Sequence, residues 1–523
     1  MLAYVPALLA VVTGLAQGMS TRLAASWSFY GTDIAQHMQL LKGVQGAGNL
    51  GTPSGGYPRG LHMLLALVSA PSVPSSEGHS LLDLDLRLVA GSTWLALGLL
   101  LACGASFTLR LSQHTGRSRA QGITAATVLG VALLMTNPFI ATFVYMGAGA
   151  SLVAVVVLWA LPAAALAGVI GPGRSTQKLW SCAGISLALL ANLWQALAAV
   201  PVAAMLSLMP GQVHEVGRAA KLIFRRRGVG LLAVAALLVV ALVVGRPSVE
   251  LLRAGGLHLA ATPGTTPRPP WPVAVLSLLA MVWIAQRCGG PVRRLFLGGA
   301  VGLLATALAL LVGSGHPFDI TQYYVMKVAW FGVLYAAPAT ALACTAAALG
   351  ISQLLRSRLG ALGGAAAVAR IASLAVIISF LVAFVLPLVV VRGAIALETV
   401  TDGYGGGQSA RRYHLAVEYS TRFRPAITVP VGIGRGVLPD AQAAQIVSKL
   451  ISFQTGQGLN YGRPTQVCSD VNAVAGDRPA VVLTSLQPAV IHEIMKDKGC
   501  GAVRVVELPG PPTRTFQRTV ARH

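Results

Sequence analysis

The chain has 523 residues, a mean hydropathy of +0.69 and only 11% charged residues. Soluble proteins carry about 25% charged residues, so this composition excludes an ordinary soluble globular protein. The net charge of +23 does not point to nucleic acid, because the basic residues sit in short loops between apolar runs and no basic domain with interleaved aromatics is present.

Apolar runs such as Leu88 to Leu109 and Val229 to Val244 approach the length of about 20 residues that a bilayer core requires. Lipid offers no hydrogen-bond partners, so each such segment must satisfy its own backbone as a helix. The chain reads as a polytopic α-helical membrane protein. Cytoplasmic loops retain Lys and Arg. That rule places five loops on the cytoplasmic side: Arg110/Arg117/Arg119, Arg174/Lys178, Arg218 to Arg227, Arg287/Arg293/Arg294 and Arg356/Arg358/Arg370.

A first helix over Leu2 to Gly18 lacks the basic n-region of a signal peptide and reads as retained, running outward. A long outer loop over residues 19–87 precedes a second span at Leu88 to Leu109. Spans near Gly122 to Thr136 and Ser151 to Ile170 follow, joined outside by "NPFIATFVYMGAGA". The apolar block Trp180 to Met209 has basic loops on both sides and is too short for two full spans. Two short helices meeting near Asn192–Gln195, or a re-entrant hairpin, reconcile its length with its charge. Val229 to Val244, Trp271 to Ile284, Leu295 to Val312, Trp330 to Leu354 and Ile371 to Val391 complete a count of about eleven transmembrane helices. The N-terminus is expected inside and the C-terminus outside.

Residues 1–392 thus form a transmembrane domain, and 393–408, containing "DGYGGGQ", a linker. Residues 409–523 form a small extracytoplasmic α/β domain. In it "AITVPVGI", "AVVLTSL" and "AVRVVEL" read as strands, and "DAQAAQIVSKLISF" and "PAVIHEIMKDKG" as helices. Its two cysteines, Cys468 and Cys500, form a disulfide in an oxidising compartment or remain two buried thiols. Asp470, His492 and Glu493 make no catalytic cluster, and no His/Cys spacing suggests zinc.

Polar residues of the membrane half concentrate in two outer stretches. In "WSFYGTDIAQHMQLLKG", Asp33 stands one helical turn before His37. A carboxylate there could take a proton from a hydroxyl nucleophile. The plainer reading makes Thr32 or Asp33 a helix N-cap. In "GGYPRGLHMLLAL", Arg59 and His62 share the first turn of an amphipathic or re-entrant helix. Arg59 could hold an anionic headgroup or simply anchor at the interface. Asp83 and Asp85 in "LLDLDLRLV" could hold a divalent metal (Mg, Mn or Ca) on a phosphate, or place favourable charge at a helix N-terminus. Arg87, opening the second span, needs an anionic partner: a lipid phosphate or one of those aspartates. In "GSGHPFDITQYYVMKVAWFGVLY", His316, Asp319, Tyr323, Tyr324 and Lys327 cluster at the outer surface. Lys327 either holds a lipid phosphate or snorkels from an aromatic belt.

In their order, the first helix, the outer-loop Asp33, "YPRGLH", Arg87 and "YYVMKVAW" resemble the GT-C class of membrane glycosyltransferases. About eleven helices before an external C-terminal domain are most like the actinobacterial arabinofuranosyltransferases. The resemblance implies transfer of a sugar, such as arabinofuranose, from a polyprenyl-phosphate donor. The acceptor would be a cell-envelope glycan, lipoglycan or glycoprotein, on the outer face of the cytoplasmic (plasma) membrane. It gives Asp33 the role of base. Lys327, then Arg87 and Arg59, would hold the donor phosphate, and His37, Tyr57, His62, His316, Tyr323 and Tyr324 would orient substrates. GT-C members often carry an acidic pair at the position of Asp33, and this chain lacks one there. The competing expectations are a transporter or flippase of lipid-linked sugar, which requires intramembrane charges and often repeats, and a non-catalytic cell-envelope assembly protein.

Overall fold

The structure, a computed structural model, describes residues 1–21, 23–24, 37–38, 40–41, 44–45, 60–70, 79–136, 140, 143–144, 148–169, 175–208, 269, 271–313, 323–359, 427–430, 480–484, 489, 492–493 and 504–507. After a 3-10 turn at Leu2–Tyr4, the helices are α1 (Val5–Met19), α2 (Gly60–Ser69), α3 (His79–His114) and α4 (Arg119–Val131). These are followed by α5 (Gly149–Ala164), α6 (Ser175–Leu193), α7 (Ala199–Leu206), α8 (Trp271–Arg287), α9 (Gly290–Gly313) and α10 (Tyr323–Leu359). π-helical turns prolong α4 over Ala132–Thr136 and α5 over Ala165–Val169.

Five helical segments are long and apolar enough to cross a membrane: Leu2–Met19, Asp83–His114, Gly149–Ala167, Gly290–Val312 and Tyr324–Gln353. Their outer faces bear exposed aliphatics, including Leu8, Leu9, Val12 and Leu15 on α1 and Val301, Leu304 and Leu308 on α9. Water would penalise apolar patches this large; lipid does not. The molecule is a helical membrane protein. The expected spans at Val229 to Val244 and Ile371 to Val391 lie outside the described residues.

α1 and α3 run antiparallel. The Tyr4 and Ser106 hydroxyls meet at 3.1 Å near one end, and Gly14 lies against Gly91 toward the other. A Cβ on Gly91 would come within 3.0 Å of the Gly14 carbonyl oxygen and 3.1 Å of Gly18 Cα. Small residues four apart let helices in lipid approach this closely, so that dispersion replaces the missing hydrophobic drive. α3 turns sharply into α4. Gly116 takes a φ of 69°, the left-handed position that favours glycine. Its N–H donates to the Gln113 carbonyl and that of Arg117 to the Ser112 carbonyl, closing the helix. Ser118 and Gln121 then form a reciprocal capping box for α4.

The core centres on Trp159, Phe107, Phe296, Phe331 and Tyr335, all buried. α10 contains Pro338, which has no N–H for the Leu334 carbonyl one turn earlier. The Trp159 indole N–H donates to that carbonyl at 3.2 Å and to that of Tyr335 at 3.3 Å. A proline kink is thus satisfied from another helix.

The apolar block after residue 180 divides as its length and charge require. α6 ends at Leu193, Trp194 leaves helical geometry with φ −158° and ψ 86°, and a 3-10 turn at Gln195–Ala198 leads into α7. In the tail, β1 (Ile427–Pro430), β2 (Ala480–Thr484) and β3 (Arg504–Glu507) form a parallel sheet in the order β1-β2-β3. The register pairs Ile427 with Ala480 and Val481 with Arg504. Parallel neighbours require crossover connections, and helical Ala489, His492 and Glu493 lie in the second.

Candidate functional site at the polar end of the bundle

The helices carry two chemically different ends. At one, the α3–α4 and α8–α9 turns meet. The Arg117 guanidinium lies 5.5 Å and that of Arg287 5.1 Å from the Trp283 ring centroid, and Gly289 lies beside His114. This puts Arg110, His114, Arg117 and Arg119 at the same end of the bundle as Arg287, Arg293 and Arg294. The other end gathers most of the described residues singled out in the two outer stretches.

α2 is the positioning element there. Its ten residues cover about 15 Å, half a bilayer core. A Cβ on Gly60 would come within 3.0 Å of the Asn192 carbonyl oxygen, where α6 ends. Leu61 lies against Gly149, whose other neighbour is Thr93. At its far end Ser69 shares Gln45 with Asp85: the Gln45 amide N–H₂ donates to Ser69 Oγ and Asp85 Oδ1, both at 2.9 Å. Thr93 is eight residues along α3 from Asp85, so the N-terminus of α2 reaches about 12 Å deeper than its C-terminus. α2 therefore lies along α3, with its first turn against α6 and its last beside Asp85.

His62, in the first turn of α2, is buried against His37. His37 Nδ1 and His62 Nε2 lie 3.0 Å apart, and the rings are nearly parallel, with 17° between their planes. One imidazole must donate the bridging proton and the other accept it, so the pair is suited to passing a proton. Asp33, four residues before His37, and Tyr57 and Arg59, just before α2, lie outside the described residues.

Lys327 stands in the second turn of α10. Its ammonium lies 5.6 Å from the Phe143 ring, 5.7 Å from Trp194 and 5.5 Å from Tyr324. Each ring face attracts the cation by about 0.5–2 kcal/mol, depending on desolvation. Three rings fix an otherwise flexible side chain. Trp194 is itself held: its indole N–H donates to Ser151 Oγ at 3.2 Å, and its ring meets Phe331 edge-on at 5.1 Å. The non-helical geometry at the α6 break is what turns this ring toward Lys327.

The aspartate pair differs from expectation. α3 begins at His79, not at the second span's apolar edge, and it has no acidic residue in its first turn. Asp83 and Asp85 therefore make no helix N-terminal charge. Two residues apart on a helix they diverge by about 200°, so their carboxylates do not converge on one ion. Among the described residues no group of three or more His, Cys, Asp or Glu is arranged for a metal. Asp85 is fully buried, whereas Asp83 is half-buried. Arg87 is half-buried, and its Nε donates to the Asp83 carbonyl oxygen at 3.4 Å.

Tyr323 opens α10, and its side chain lies outside the described set, as do His316, Cys468 and Cys500. Sequence reasoning missed Trp194, Phe143 and Gln45. The polar "ANLWQ" inside an apolar block was a usable signal for Trp194; nothing comparable marks Phe143. It also missed Gln17, which is buried near the end of α1 with neither end of its amide hydrogen-bonded among the described residues. Gln45 Oε1 is likewise buried and unbonded. A buried amide left unsatisfied costs about 1–3 kcal/mol.

No protein-family model matches the chain, and no curated protein matches it.

Proposed function

We propose that the chain is a GT-C-type membrane glycosyltransferase using a polyprenyl-phosphate sugar, with arabinofuranose the first candidate and a cell-envelope glycan or lipoglycan as acceptor. The observation that carries this reading is the ring-caged Lys327. A compact ammonium with three donors, immobilised at one end of an apolar bundle, suits the leaving phosphate of a lipid donor. Its separation from the arginine-rich end supports chemistry on the opposite membrane face.

In this mechanism the acceptor hydroxyl attacks the anomeric carbon, and the bond from that carbon to the phosphate oxygen breaks. Asp33 takes the hydroxyl proton, and the electron pair leaves with the phosphate. Lys327, with Arg87 and Arg59, stabilises the departing charge. Attack from the opposite face inverts the anomeric configuration. The His37–His62 pair, whose first member follows Asp33 by four residues in sequence, is the candidate acceptor for a proton passed from the base. Asp85, two residues before Arg87, orders Gln45 and α2 rather than binding a metal jointly with Asp83.

The test supplies purified protein in nanodiscs with radiolabelled polyprenyl-phosphate sugar and candidate acceptors. Labelled product that disappears in Lys327→Gln, with folding intact, supports transfer. A second reading, a flippase for lipid-linked sugar, draws on the break at Trp194 and the short α2 packed beside it, since transporters place sites on interrupted helices. It predicts movement of the labelled lipid between leaflets without any glycosidic product.

A further inference from the structure

A cavity of about 700 Å³ opens at the arginine-rich end, away from the site above. It lies between the start of α1, the end of α3 and the π-helical turn after α5, and is lined by Tyr4, Ser106, Arg110, Gln113, His114 and Leu166. The donors are numerous: a guanidinium, an imidazole, an amide and the hydrogen-bonded Tyr4–Ser106 hydroxyl pair. Among the described residues of α1–α10 no acidic residue offsets them, because the two acids there, Asp83 and Asp85, both belong to the opposite end. Arg110 has no carboxylate partner among the described residues.

Two apolar stripes begin at residues that line the cavity. Tyr4, Leu8 and Leu15 share one face of α1, and Ser106, Leu99 and Leu95 share one face of α3, by the 3.6-residue period. The aliphatic members are exposed: Leu8 by 62%, Leu15 by 53%, Leu99 by 46% and Leu95 by 39%. Each stripe starts at a residue of the cavity and runs toward the other end of the helix pair. A cationic pocket leading into exposed aliphatic walls matches one molecular shape, an anionic headgroup joined to acyl chains.

We infer that this pocket holds an anionic glycerophospholipid of the leaflet on the basic side, cytoplasmic by the charge rule. Arg110 and His114 face the phosphate, the Tyr4 and Ser106 hydroxyls and Gln113 bond its oxygens and glycerol, and the chains lie along the Leu8/Leu15 and Leu99/Leu95 stripes. The site is independent of the proposed sugar transfer.

Native mass spectrometry of the full chain, with phosphatidylglycerol and phosphatidylcholine of identical acyl chains, tests this. The expected result is at least about tenfold preferential retention of phosphatidylglycerol. That preference falls to parity in the Arg110→Gln/His114→Gln variant, is largely kept in Arg110→Lys, and is unchanged in Arg293→Gln at the same end. Thermal unfolding of each variant confirms that the fold is retained. Equal retention of the two lipids by the parent chain overturns the site. So does an equal loss in Arg293→Gln, which would mean diffuse surface charge. Displacement of the lipid by millimolar inorganic phosphate would reassign the pocket to a free anion.

Discussion

The two ends of the bundle treat cations differently. At the arginine-rich end, Arg117 and Arg287 lie over the ring of one indole, Trp283, and Arg119 is exposed. These charges act collectively, holding the end at a polar, anionic interface. At the polar end Lys327 is surrounded by three rings, one of which is fixed by its own hydrogen bond to Ser151. Orientation in a membrane needs only number and side. Holding a single reacting group needs position, and position requires packing from several helices.

That difference can be broken by substitution. The largest effect is expected for Asp33→Asn, where loss of a general base reduces transfer by about 10²–10⁴-fold in the radiolabel assay; full activity would remove Asp33 from the mechanism. Trp194→Ala should reduce kcat by roughly tenfold or more by releasing the Lys327 side chain, with little change in lipid retention at the basic end. Gly91→Leu forces α1 from α3 and should destabilise the polar end by about 1–3 kcal/mol, read as a lower unfolding temperature in detergent. Trp159→Phe leaves the Leu334 carbonyl beside Pro338 without its indole donor and should destabilise by about 1–2 kcal/mol.

The smallest effect lies at the basic end. Burial pushes the Cys288 thiol up to about 11 from its ordinary 9.0. A raised pKa means less thiolate, so maleimide labelling at pH 8 should be about a hundredfold slower than for an exposed cysteine. The rate should climb as pH rises toward 11. Fast labelling at neutral pH would show that the α8–α9 turn is open.

Composition and charge made much of this legible. The apolar runs located α1, α5 and α9, and the conflict between length and charge located the break at Trp194. Boundaries failed where hydropathy and hydrogen bonding diverge. The run Leu88 to Leu109 marks the apolar stretch of the helix, much of it in the core, but the α3 backbone continues from His79 to His114 through polar residues. The same extension puts Asp83 and Asp85 inside the helix rather than at its N-terminus. Lys327 was legible because it opposes the charge rule. Its cage was not, because Phe143 and Trp194 are distant in sequence and meet it only through packing. The pairing of His37 with His62 was hidden for the same reason: one helix period relates His37 to Asp33, whereas only the tertiary fold relates it to α2.

The most direct test compares Lys327→Gln with Arg293→Gln in the polyprenyl-phosphate sugar assay, in nanodiscs of one composition. The structure predicts a loss of about a hundredfold or more for Lys327→Gln and activity within about twofold of the parent for Arg293→Gln. Equal activity in the two variants, or a larger loss in Arg293→Gln, would contradict a phosphate-binding role for the caged lysine.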